Sequence, residues 1–339
     1  MTHLWRLMRA IAGERAASDM LDTLQIERSL LVENTGAVTR GVFAMALNAV
    51  LFHDLLGRVP TAAAYVTDRR RLHQRITFDH GALRTIHFPH GPTGELPPGV
   101  TAFARILEPL GYTQSGTYPL PKLRMTGRAF THRDFPATLP QFFVSELHVE
   151  RFSPDFQAAA GRLFGNSRDP LTHHANMALA TFTEHGRCAF ELAVGALSEI
   201  VAAFRRCHEA PSLVDYRLLL AESAEAAWMA TEGCAFNHAT DRVADVDATA
   251  CEQRALSRPI KETVEVSTTG SVRQTAFKAD PVARSLRTAG GGMTTLTVPG
   301  SFYEFISRDM IAGADGSRGL DLRFDSMNAQ GIFKMTAAA

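Results

Sequence analysis

The sequence predicts an α+β fold in which two copies of a βαβββ unit roll one sheet around a shared cavity, with N-terminal helices and a central helical insert. Three observations lead there. Apolar residues recur at three- and four-residue spacing over the first seventy or so positions. The texture changes at Ile76 to short β-rich runs between Gly and Pro, and does so again after Gly233. Each β-rich half also opens on a histidine with an arginine four residues later: His80 and Arg84 in "ITFDHGALRT", His238 and Arg242 in "AFNHATDRVA".

Residues 1–75 read as helices, chiefly "DMLDTLQIERSLLVE" and "RGVFAMALNAVLFHDLLG", the second stopped by Gly57 ahead of Pro60. Residues 76–152 form the first unit: a strand, the helix "GVTAFARILEPLGY", then "YPLPKLRMTGRAFTHRD" and "PQFFVSELHVERF". Residues 153–233 turn helical again, most clearly in "AFELAVGALSEIVAAFRRCHEA" and "RLLLAESAEAAWMATEG", with Gly233 as a C-terminal stop. Residues 234–339 repeat the β pattern: "CAFNHATDRVA", a short helix near 247–256, "KETVEVS", "VRQTAFKA", "GSFYEFISRD" and a closing tail. The Gly290–Gly292 run is a turn. It lacks the strand-to-helix setting and the Lys-Ser/Thr ending of a phosphate loop.

Composition narrows the partners. The 339 residues carry Lys+Arg 35 against Asp+Glu 35, which argues against a phosphate-neutralising nucleic-acid surface. The one basic run, Arg69–Arg71 with Arg75, is read as a solvated helix end. The four cysteines show no CxxC pairing, so neither a disulfide framework nor a structural zinc site is expected, and a reducing compartment fits. The N-terminus lacks a secretory pattern, and no window approaches 18 uncharged apolar residues. The expectation is a cytoplasmic protein without membrane or nucleic-acid partners.

The halves can be aligned on their histidines. Glu146 in "FFVSELHV" follows His80 by 66 residues (146 − 80), and Glu304 in "SFYEFISRD" follows His238 by 66 (304 − 238). An internal duplication explains this, with the first and last strands of each copy lining the cavity. His80, His238 and Glu304 would converge there. Two imidazoles and one carboxylate on one face of an ion leave positions for a substrate and dioxygen, the donor pattern of non-haem Fe(II) oxygenases. By repeat symmetry Glu146 is open to three roles, a fourth ligand, an acceptor behind the metal ligands that orients His80, or a partner for Arg84, and it is not counted in the ligand set. Gln274 in "VRQTAF" is either an inward hydrogen-bond donor or a ladder residue. His173 and His174 follow a turn, His87 and His90 fall in a Pro/Gly loop, and His53 sits near a helix end, so none of these is counted as a ligand.

From about Ile76 to Lys334 the chain resembles the 2-oxoadipate dioxygenase/decarboxylase family. The resemblance rests on "DHGALR", "PKLR", "LPQFFVSELHVERF", "FNHATDR", "RPIKETVEVS", "VRQTAF", "GSFYEFISRD" and "SMNAQGIFK" taken as an ordered set. It implies a vicinal-oxygen-chelate-like fold, Fe(II) held by His80, His238 and Glu304, and a substrate carboxylate bound by Arg84. It also implies a C-terminal segment that closes over the substrate, bringing Met327 and Asn328 to the pocket. The implied reaction consumes 2-oxoadipate, a 2-oxo dicarboxylic acid, and O2, and yields 2-hydroxyglutarate and CO2 in lysine catabolism. Two alternatives stand beside it: a non-oxidative metal-dependent lyase or isomerase of the glyoxalase type, and a metal-free protein that binds a small acid.

Overall fold

The computed structural model describes residues 1–32, 36–312 and 316–326. Eight strands among them make one sheet: β1 (Phe78–His87), β2 (Tyr112–Leu120), β3 (Met125–His132), β4 (Gln141–His148), β5 (His238–Arg242), β6 (Glu265–Val266), β7 (Val272–Ala276) and β8 (Phe302–Arg308). Their order is β2-β3-β4-β1-β5-β8-β7-β6. Helix Thr101–Leu107 lies between β1 and β2 in sequence, and helix Val246–Ala255 between β5 and β6. Each half is thus a βαβββ unit, as expected.

The pairing has an approximate twofold. The first strand of each unit runs parallel to its last, β1 with β4 and β5 with β8, and every other neighbour in the sheet is antiparallel. Where the halves meet, His80 opposes Thr240 and Ala82 opposes His238, which puts the axis at the Gly81–Ala239 pair. By this symmetry His80 matches His238 and Arg84 matches Arg242, so the shared His-to-Arg offset marks a true repeat.

The equal 66-residue gaps do not. Glu304 pairs with Thr240, two residues beyond His238, whereas Phe143 pairs with Ala82, two beyond His80. Phe143 is therefore the counterpart of Glu304, and Glu146 corresponds to Ser307. The second unit carries an extra hairpin, Pro281–Arg287 with Met293–Pro299, between β7 and β8. Between equivalent positions the spans are 63 residues (143 − 80) and 66 (304 − 238), so the match to Glu146, three residues further on, is a coincidence of spacing.

Side-chain alternation sorts the sheet into two faces. His80, Ala82, Gln141, Phe143, His238, Phe302 and Glu304 share one face. Gly81, Leu83, Phe142, Val144, Ala239, Tyr303 and Phe305 share the other. On that second face Leu83, Phe142 and Val144 join a core with Phe103, Ile106 and Leu107 of the first crossover helix and with helix Arg40–Arg58. That helix is apolar nearly all round, which fits its burial. Thr39 caps it, accepting from Val42 N, and Pro60 begins the next helix, Pro60–Arg71. The apolar stretch of this pair lies in the core; among the described residues no single helix is long and apolar enough to cross a membrane.

The expected helix "DMLDTLQIERSLLVE" ends early, at Thr23. Beyond it the backbone leaves the helix to bridge Ile76: Gln25 N donates to Ile76 O, and Ile76 N to Thr23 O. Only a short 3-10 turn, Arg28–Leu31, follows. Tertiary pairing overrides local periodicity here. The insert also breaks where the periodicity runs on. Ser223 ends helix Leu213–Glu222 and caps helix Ala224–Glu232 through Ala226 N. Gly233 then closes that helix at φ 69°, where a Cβ would come within 2.3 Å of Arg206 Cα.

The insert divides between two tasks. Helices His173–His185 and Phe190–Ala203 pack with the N-terminal helices. Helices Pro154–Phe164, Leu213–Glu222 and Ala224–Glu232 join Ile86 of β1 and Leu147 of β4 in a separate core that covers one end of the His80 face.

Candidate metal centre

His80 on β1, His238 on β5 and Glu304 on β8 point to one spot from three adjacent strands. Glu304 Oε2 lies 3.3 Å from His80 Nε2 and 3.1 Å from His238 Nε2, and all three residues are buried. The convergence follows from register. His80, Thr240 and Glu304 stand in one row across β1, β5 and β8, and His238 stands one pleat away, beside Ala82 and Phe302. Thr240, between the donors, gives its hydroxyl proton to Glu304 Oε2 at 2.6 Å and sits 3.0 Å from His80 Nε2.

Each imidazole is held from behind. Asp79 Oδ1 is 2.9 Å from His80 Nδ1, and Arg308 fixes Asp79 with contacts of 2.8–3.1 Å. Adjacent residues on a strand normally point apart. The register shift between Phe78 and His80 is a β-bulge with Asp79 as the extra residue, which lets it reach its neighbour's ring. Behind His238, Asn237 places an amide nitrogen 2.9 Å from Nδ1 and leaves its Oδ1 buried without a hydrogen-bond partner. Rotating this amide by half a turn would make Oδ1 the acceptor for Nδ1–H and free the Nε2 lone pair.

The charges agree with a cation site. Burial pushes the Glu304 carboxyl upward, but the two imidazoles outweigh it and hold the group well below the usual carboxylate range. Asp79 behaves likewise: burial raises it, and Arg308 and His80 more than compensate. Burial pulls His80 down, yet its hydrogen bonds to Asp79 and Glu304 prevail and raise it. His238 stays lowered, because burial exceeds the pull of Glu304. Arg308 neutralises Asp79, so Glu304 supplies the net negative charge at the donor set. Two imidazole nitrogens and a carboxylate oxygen within 4.8 Å of one another suit a first-row divalent metal. The orphaned Asn237 oxygen is the kind of partner that an Nε2-ligating histidine requires.

Ala82, Phe143, Ser145, Gln274, Phe324 and Asp325 line the cavity with the triad and Asn237. Gln274 thus faces inward, and its register partner on the neighbouring strand is Glu265. Phe324 lies edge-on to His80, with ring centroids 4.8 Å apart, and tilts against Phe143 at 4.9 Å. It is fastened on both sides: its amide donates to the Tyr118 hydroxyl, and Arg308 donates to the carbonyls of Asp321 and Arg323. With Phe324 seated, the cavity measures about 30 Å³, room for about one water. Met327 and Asn328 lie outside the described residues, while Phe324 and Asp325 just before them already border the cavity.

Arg84 follows His80 and Ala82 on the same face, two pleats from the triad, and is fully buried. Its guanidinium carbon lies 4.9 Å from the centroid of Trp228, on insert helix Ala224–Glu232. Burial pulls its pKa down, with the Glu225 carboxylate opposing; a guanidinium remains charged regardless.

Glu146 does not belong to this centre, which corrects the roles considered for it. Its side chain points to the opposite face, where it accepts from Val100 N at 2.7 Å and Arg128 at 2.9 Å. Asp79, not Glu146, orients His80. The "DH" pair in "DHGALR" was a visible signal for Asp79. Thr240, Asn237 and Phe324 gave no comparable sign.

No curated protein sequence matches the chain. Among solved structures, a protein from Ralstonia eutropha JMP134 assigned to the glyoxalase superfamily is 46% identical, with TM-score 0.90, covering 96% of this chain and 98% of its own. The hydroxyglutarate synthase of Oryza sativa in complex with 2-oxoadipate shares the fold at 22% identity and TM-score 0.66, covering 90% and 97%. The Pseudomonas putida hydroxyglutarate synthase, also with 2-oxoadipate, does so at 19% and 0.62, covering 83% and 67%. The fold is thus that of the vicinal-oxygen-chelate proteins. A family model for 2-oxoadipate dioxygenase/decarboxylase matches residues 53–334. That span takes in all eight strands of the sheet and every donor of the triad, and the chain belongs to the 2-oxoadipate dioxygenase/decarboxylase family.

Proposed function

We propose that the protein is an Fe(II)-dependent dioxygenase/decarboxylase that converts 2-oxoadipate and O2 into 2-hydroxyglutarate and CO2. The observation that carries this reading is the convergence of His80, His238 and Glu304 in a buried cavity of a chain from this family. These three residues would hold the metal. When bound, iron supplies a Lewis acid for a chelating 2-oxo acid and a means of activating dioxygen.

The chain's own residues do the rest. Thr240 and Asp79 fix the Glu304 carboxylate and the His80 ring, so the donors need no reorganisation. Arg84 offers a planar fork to the distal carboxylate of the substrate, and the separation between fork and triad selects chain length. Trp228 backs that fork. Phe324 must swing aside for a six-carbon acid to enter a cavity of about 30 Å³, and its return excludes water from the reacting carbon. Gln274 and Ser145, polar residues of the cavity lining, would orient the substrate. We assign the enzyme to lysine catabolism in the cytoplasm; its balanced charge gives no basis for a nucleic-acid partner.

The test is oxygen uptake by the Fe(II)-reconstituted protein. Consumption with 2-oxoadipate, matched by CO2 and 2-hydroxyglutarate and abolished by His238→Ala or by chelator, is expected. No uptake with 2-oxoadipate or with its shorter and longer homologues defeats the assignment. The glyoxalase-type alternative draws on the Ralstonia relative. Glu146, its candidate fourth ligand, lies on the wrong face, and turnover without oxygen in the zinc or nickel form would be its signature.

A further inference from the structure

A second group of metal-binding side chains stands at the far end of the same two strands. His87 and His148 are register partners that close β1 and β4, with ring centroids 5.3 Å apart. Glu150 follows in the 3-10 turn Val149–Arg151, its carboxylate 4.0 Å from His87 Nδ1 and 3.6 Å from His148 Nδ1. One donor atom from each lies within 4.8 Å of the others. Around zinc, with bonds of about 2.1 Å, tetrahedral donors stand roughly 3.4 Å apart, so closure asks for small side-chain adjustments.

We propose that His87, His148 and Glu150 form a second divalent-cation site, suited to zinc, with solvent completing the coordination. Three features favour this. His148 Nε2 is 2.8 Å from the Thr126 hydroxyl, which can accept Nε2–H and leave the Nδ1 lone pair facing Glu150. His87 Nδ1 is buried, has no hydrogen-bond partner among the described residues, and faces the same carboxylate. His87 and Glu150 are each about one-third exposed, so an ion can reach them from solvent. Glu150 presently has Arg151 Nε at 3.8 Å, an exposed side chain that an incoming dication would displace. For any one set of nitrogen and oxygen donors the divalent affinity order places zinc above iron and manganese, which makes zinc the tighter-binding probe here.

The site lies on the opposite face from the triad, and seven residues of β1, about 23 Å of strand, separate His80 from His87. It is independent of the oxygenase reading. Occupied, it would tie both strand ends to the turn that opens the helical insert.

The test counts zinc equivalents. Metal-stripped protein is titrated with Zn(II) against a chromophoric chelator, in wild type and in a His80→Ala/His238→Ala background that disables the triad. The expected result is one equivalent retained in that background at micromolar zinc, and lost on adding Glu150→Ala or His87→Ala. Wild type carrying Glu150→Ala, a change at an exposed turn that spares the fold, should drop from two equivalents to one. A triad-disabled protein that binds no zinc, or whose zinc survives both added substitutions, overturns the proposal.

Discussion

Asp79→Asn probes the support of the metal centre most directly. The substitution keeps shape and removes one charge from a pair whose side chains are 1% exposed on Asp79 and 0% on Arg308. The Arg308 guanidinium cannot leave: it also donates to the carbonyls of Asp321 and Arg323. Stranding a buried cation costs about 3–5 kcal/mol. For a chain of 339 residues, an unfolding entropy of about 2.1 cal/mol/K per residue converts that into a fall in Tm of roughly 4–7 °C. The same change weakens the hold on His80 Nδ1, so metal affinity should drop about 10- to 100-fold. Calorimetry and chelator competition read the two effects. Arg308→Gln completes a double-mutant cycle, in which the double variant should lose at least about 1 kcal/mol less than the sum of the singles. Wild-type stability and metal affinity in Asp79→Asn, or strict additivity in the cycle, would refute the reasoning.

Three further outcomes follow from other parts of the fold. Gly81→Ala sets a Cβ 2.2 Å from Phe236 Cζ in a packed core and should cost about 1–3 kcal/mol in chemical denaturation; an unchanged midpoint would mean the core is looser than described. Phe324→Ala removes the ring over His80, and the half-time for stripping iron with an external chelator should shorten severalfold, whereas an unaltered rate would show that the ring does not gate the centre. Burial raises the Asp241 carboxyl to about 7 despite its bonds from the Tyr65 hydroxyl and Thr77 N. The folded state then holds this proton more tightly than the unfolded state, whose carboxyl titrates near 4. Stability should therefore fall as pH rises from about 4 to about 7, by at most roughly 4 kcal/mol. Asp241→Asn should flatten the slope, and a matching slope in both proteins counts against the assignment.

Much of the architecture could be read in advance because each βαβββ unit announces itself by texture and by its histidine–arginine offset. The dyad preserves that offset between Arg84 and Arg242. The carboxylate spacing misled, since equal totals concealed a three-residue displacement that moves Glu146 to the other face. His87 looked like a loop residue before a Pro/Gly run, yet strand β1 extends to include it. Asp79, Thr240 and Asn237 owe their places to a bulge and to cross-strand register, properties of strand association rather than of any one segment. Phe324 reaches the cavity only because Tyr118, Gln141 and Arg308 fasten the chain around it.

The Phe143–Glu304 correspondence has a bearing on how such proteins diversify. An ancestral pair of identical halves would encircle its ion with two histidines and two acids, saturating much of the coordination sphere and cancelling the dication. A phenyl ring in one half would leave a corner open and, with a dication bound, residual positive charge to attract an anionic guest. One codon therefore separates a crowded ion from a receptive one, and installing an acid at position 143 is the shortest route back.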